Sequence, residues 1–160
     1  MQTDSVKHIV LYFKAIPEML RLLERERYEL ESKYSGFGGA GSDGMPHGSS
    51  VGKPTEALGL RAAEDGTGKR LAEIEAKKRV LVADAAVIRG CLDALNGKYK
   101  QVLSLRYVSG YSWPKIATRI SAPDSTVRNW NDKALKRLGE VLEETPEVEG
   151  LLIRASRART

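Results

Sequence analysis

From Ile9 the apolar residues recur in alternating steps of four and three, at Ile9, Phe13, Ile16, Leu20, Leu23, Leu30 and Tyr34, with Arg27 as the one polar interruption. That heptad spacing predicts an amphipathic helix over residues 1–34 whose apolar face needs a partner. Pro17 lies inside the stripe and cannot donate to the preceding turn, so a kink is expected there. A second stripe runs through Leu71, Ile74, Lys78, Leu81, Ala85, Ile88, Leu92 and Leu95. It predicts a long helix over 55–97, capped by Thr55, bent or broken at Gly66-Thr67-Gly68 and stopped at Gly97. Between the stripes, residues 35–54 hold seven glycines and two prolines without helical or strand period and read as a linker. Two such helices suit an antiparallel hairpin within one chain and equally a zipper with a second chain, a homodimer or higher oligomer.

Residues 98–143 predict three shorter helices. The first runs from Lys98 to about Val108, carries Tyr99, Val102, Leu103 and Tyr107, and ends at Ser109-Gly110. The second starts with Ser112 as N-cap, tolerates Pro114 in its first turn, and turns Trp113, Ile116, Ala117 and Ile120 inward. The third follows Ser121-Ala122-Pro123 and runs from Asp124 to Glu143, with Val127, Trp130, Ala134, Leu135 and Leu138 inward. Two short helices joined by a tight turn, the second longer and basic, describe a helix-turn-helix. The expected core of that motif is Trp113, Ile116, Ala117, Ile120, Val127, Trp130 and Leu135. The fold class is all-α: a helical hairpin or coiled-coil scaffold, the helix-turn-helix over 98–143, and a tail over 144–160.

Charge sharpens the picture. Residues 98–137 hold nine Lys/Arg against two Asp/Glu, a net +7, whereas residues 1–97 hold fourteen of each. A basic excess confined to one module is the footprint of a polyanion partner, here double-stranded DNA. On the outward face of the third helix, Arg128 can bond guanine and Asn129 adenine, each in bidentate fashion. Lys115, Arg119, Lys133, Lys136 and Arg137, with Thr126 beside them, suit phosphate contacts that set register.

Residues 100–139 resemble region 4 of sigma-70 type factors, with its VLxLRYxxGxSxxxIA pattern and KALxxL run. Here these stand as Val102-Leu-Ser-Leu-Arg-Tyr107, Gly110, Ser112, Ile116-Ala117 and Lys133-Ala-Leu-Lys-Arg-Leu138. The resemblance implies base contacts at Asp124, Ser125, Arg128 and Asn129, and bacterial RNA polymerase as a second partner. Ser121-Ala122-Pro123 replaces the family's glycine-containing turn, with Ser121 and Asp124 placed for a shifted capping box. The whole layout, with Asp43-Gly-Met-Pro-His-Gly48 and Pro54-Thr55-Glu56 in the linker, is similar to phage and prophage regulators of the ArpU and RinA type. No region that would melt a promoter is legible in residues 1–97, so the expectation is a regulator and not a complete sigma factor.

Other functions fare worse. Gly48-Ser-Ser-Val-Gly52-Lys53-Pro54 is one residue short of a phosphate-binding loop and has Pro54 where the magnesium-binding hydroxyl belongs. Cys91, His8 and His47 form no metal-ligand or nucleophile spacing, so neither catalysis, a metal nor a cofactor is expected. No run reaches the roughly 18 apolar residues of a membrane span, and the N-terminus has no secretory pattern, which suggests a cytoplasmic, nucleoid-associated protein. Two alternatives share the motif: a small terminase subunit that recognises packaging-site DNA, and a coiled-coil adaptor that touches RNA polymerase. The acidic run from Glu140 to Glu149 reads as a solvated end, and Arg154, Arg157 and Arg159 as a disordered tail.

Overall fold

The computed structural model describes residues 1–35 and 66–159. The linker from residue 36 onward, the Gly48–Pro54 stretch with His47, and the helix start at Thr55 lie outside the described residues. Six α-helices follow in order among the described residues: α1 Thr3–Ser35, α2 Thr67–Asp93, α3 Gly97–Leu103, α4 Trp113–Ile120, α5 Asp124–Glu143 and α6 Val148–Arg157. A π-helical segment, Ser104–Val108, continues α3, and the described residues contain no strand. The all-α class is as the periodicity predicts.

The described chain divides into two compact units, residues 18–80 and residues 1–17 with 81–160. In the first, Arg70 holds Glu26 in a two-bond grip at 2.5 and 2.8 Å, and Lys78 reaches Glu24 at 2.7 Å. These pairs set α1 and α2 antiparallel within one chain. Hydrogen bonds from Lys78 and Arg70 hold the Glu24 and Glu26 carboxyls below the usual carboxylate range. Only half-buried, the pairs fix register more than they stabilise. Ile74 is fully buried here, and Gly66 takes a positive φ of 71° just before the first turn of α2.

In the second unit, buried apolar residues come from α1 (Val6, Ile9, Val10, Tyr12, Ile16), α2 (Leu81, Ile88, Leu92), α5 (Leu135, Leu138, Leu142) and α6 (Leu151, Ala155). Pro17 lies inside α1 and is exposed. A Cβ on Gly139 would lie 3.1 Å from Val6 Cγ2, so glycine is what lets α1 approach α5 so closely. The stripe residues Ile74, Leu81 and Ile88 are buried within the single chain, and Leu71 and Ala85 are half-buried.

Three expectations need correction. The helix expected to stop at Gly97 ends at Asp93: Leu95 turns back onto Leu92, and Asn96 accepts from the Lys98 amide at 3.1 Å, which makes Gly97 the first residue of α3. The segment read as a disordered tail folds as α6, because Leu151 and Ala155 fall four apart on one buried face. Its Arg154 grips the buried Asp84 at 2.6 and 2.7 Å, and Tyr12 donates to the same carboxylate at 2.7 Å. The capping box of Ser121 and Asp124 does not form either, since α5 starts behind Pro123 with no side-chain cap.

Candidate nucleic-acid interface

The basic module is assembled by local backbone devices. α3 passes into the π segment, where the Ser109 amide bonds Ser104 O at 2.9 Å across five residues. Gly110 then takes a φ of +72°, and the Arg106 guanidinium donates to Tyr111 O at 3.0 Å, which closes the corner. Ser112 caps α4 by accepting from the Lys115 amide, with Pro114 in the first turn, where no intrahelical donor is needed.

α4 ends in a Schellman motif: the Ala122 amide bonds Ala117 O at 3.1 Å and the Ser121 amide bonds Thr118 O at 3.3 Å. Ser121 carries the left-handed conformation this requires, with φ 58° and ψ 46°. That use of Ser121 removes it from any capping box. α5 starts behind Pro123 without a side-chain cap, and Asp124 turns to Arg128 instead. Left-handed serine is strained where glycine is not. Ser121→Gly is therefore expected to stabilise the protein by about 0.5–1 kcal/mol and Ser121→Val to destabilise it, read as opposite shifts in thermal midpoint.

Val102, Ile116 and Val127, one from each helix, form the buried centre of the module, with Leu105, Tyr111, Trp113, Ala117, Ile120, Ala122 and Trp130 half-buried around it. Leu135 is buried further along α5. Lys98 Nζ lies 4.8 Å from the Trp130 ring, and the guanidinium carbons of Arg106 and Arg128 lie 4.3 and 5.7 Å from the Trp113 ring. Both indoles thus pack on one side and carry cations on the other.

Of the expected base-facing residues, Ser125, Arg128 and Asn129 are exposed, and Asp124 is half-buried and bonded to Arg128 Nε at 2.9 Å. The pair spans one turn, so Arg128 is held in place before any ligand arrives. Of the expected phosphate contacts, Lys115, Arg119, Lys133, Lys136 and Arg137 are exposed and Thr126 is half-buried. Lys115 and Arg119 both lie over Tyr111, at 3.9 and 5.9 Å, and Arg137 pairs with Glu140 at 2.9 Å. Lys133 and Lys136 have no ion-pair partner among the described residues.

Two residues at this surface had been given no role. Arg106 and Arg128 lie 4.3 and 5.7 Å from the Trp113 ring and line one cavity, a juxtaposition that no spacing in the sequence reveals. Asn131 is 4% exposed, and its side-chain oxygen has no hydrogen-bond partner. Its signal was present, since it falls on the i+4 row between Val127 and Leu135, where apolar residues belong.

The fold and surface define a helix-turn-helix module with a basic outer face. Residues 85–138, 54 of the 160, match the family described as Sigma-70, region 4. This similarity covers a third of the chain and includes α3, the π segment, α4 and most of α5. No curated protein and no solved structure matches the chain. Among the described residues no helix is long and apolar enough to cross a membrane, and no cluster of His, Cys, Asp or Glu could hold a metal.

Proposed function

We propose that the chain is a sequence-specific, double-stranded DNA-binding transcription regulator of phage or prophage origin, of the ArpU and RinA type. α5 enters the major groove with Arg128 and Asn129 toward base edges and Asp124 and Ser125 beside them. Lys115, Arg119, Thr126, Lys133, Lys136 and Arg137 hold the flanking phosphates. One observation carries the reading: residues 98–137 sum to +7, and six of their cations, Lys115, Arg119, Arg128, Lys133, Lys136 and Arg137, are exposed on a helix-turn-helix whose buried centre is Val102, Ile116 and Val127. The layout ahead of the module, two long helices joined by a glycine-rich linker, supports the regulator type. Bacterial RNA polymerase is the proposed second partner, in keeping with the similarity to region 4.

The test is selection of bound sites from random duplex DNA, repeated with Arg128→Ala. The parent should enrich one sequence. The variant should lose preference at one base position by about 1–3 kcal/mol while keeping its thermal midpoint, because the side chain is exposed. An adaptor that only touches polymerase enriches nothing.

A further inference from the structure

A cavity of about 400 Å³ opens beside the recognition helix, lined by Arg106, Tyr107, Trp113, Arg128, Asn131, Asp132 and, from α1, Lys7. The presence of Lys7 follows from the packing at Gly139, where Val6 seats α1 against α5 and leaves the next side chain beside Asn131 and Asp132. Lys7, Arg106 and Arg128 line the cavity with one carboxylate, Asp132. Arg128 is paired outside the lining with Asp124 at 2.9 Å and Lys7 with Asp4 at 3.5 Å, and Arg106 has no ion-pair partner among the described residues. The buried Asn131 lines the same cavity with an unpaired side-chain oxygen. Two turns further along α1, Lys14 Nζ lies 3.8 Å from where a Cβ on Gly110 would stand, at the corner that leads into α4. Lys7 and Lys14 thus stand roughly 10 Å apart along one helix, both against the basic module.

We infer that α1 is part of the DNA interface: Lys7, with Arg106, binds a backbone phosphate in the cavity beside Arg128, and Lys14 binds a second phosphate near the Gly110 corner. The inference rests on the proposed groove contact of Arg128, since DNA that reaches Arg128 brings its backbone to the mouth of a cavity that Arg128 itself lines. Phosphate is the suited occupant because ammonium and guanidinium groups line one open concavity, and guanidinium can grip phosphate oxygens in bidentate fashion. The two lysines also give the first 97 residues, neutral in sum, a local basic face that composition conceals.

The experiment is a salt series of binding to the selected duplex, by fluorescence anisotropy, for the full chain, Lys7→Gln, Lys14→Gln and Lys7→Arg. Each glutamine variant should bind about fivefold to tenfold more weakly near 0.1 M salt, with a log–log salt slope shallower by about 0.9, and Lys7→Arg should restore both. Thermal midpoints should not move, since Lys14 is exposed and Lys7 only half-buried. A parent that binds DNA while both glutamine variants keep its affinity and slope overturns the inference and leaves the regulator reading standing. Weaker binding with an unchanged slope and a lowered midpoint makes Lys7 a packing residue and also overturns it. A parent that binds no DNA overturns both readings.

Discussion

Asp84→Ala should lower the unfolding free energy by about 3 kcal/mol, near the lower bound for breaking a buried ion pair because Arg154 keeps part of its surface in water. Asp84 is 4% exposed and accepts three hydrogen bonds, two from Arg154 of α6 and one from Tyr12 of α1. Burial first, and the neighbouring Asp84 second, push the Tyr12 hydroxyl well above the ordinary tyrosine range, so it stays a neutral donor. The hydrogen bonds that Arg154 donates to Asp84 likewise raise its guanidinium pKa. Truncation to alanine leaves a guanidinium and a phenol facing an emptied site, and the docking of α6 weakens with them. Denaturant unfolding of parent and variant checks this. A loss below about 1 kcal/mol would mean that the apolar contacts of Leu151 and Ala155 alone hold α6.

The double reversal Lys133→Glu, Lys136→Glu should weaken binding to every duplex by at least about 100-fold at moderate salt, since each phosphate contact is worth about a factor of ten there and the new carboxylates repel. Both lysines are exposed and have no ion-pair partner among the described residues, so folding should survive, which a thermal midpoint checks. The loss should be equal for selected and random duplexes, because phosphates carry no sequence. Arg128→Ala should do the reverse, with a small loss on random DNA and a larger one on the selected site. A double reversal that binds like the parent would place the DNA on another face.

The elements of the module were legible because each carries local chemistry: Ser112 with Pro114 for the start of α4, Gly110 for the corner before it, and Val127, Ala134, Leu135 and Leu138 for the inner face of α5. The π segment was not legible. Residues 98–108 have one continuous helical pattern, and the extra residue per turn follows from closing the corner through Tyr111 and Arg106. Ser121 misled for a physical reason, since serine favours N-caps and the strained left-handed C-terminal position it occupies normally selects glycine. α6 was missed because five glutamates between Glu140 and Glu149 and three arginines after Leu152 mask a buried face of only Leu151 and Ala155. The basic surface was read from segment charge alone, which located it over 98–137 and could not show Lys7 and Lys14 brought alongside by Val6 and Gly139.

The central claim, that a helix-turn-helix face binds the DNA backbone, is tested most directly by the affinity of the full chain for duplex DNA as a function of salt. If four or so of the flanking cations neutralise phosphates, log affinity should fall linearly with log salt at a slope of about −3 to −5 per module, steepened by about one for each of Lys7 and Lys14 that joins them. A flat response, or no binding at low salt, would contradict the account.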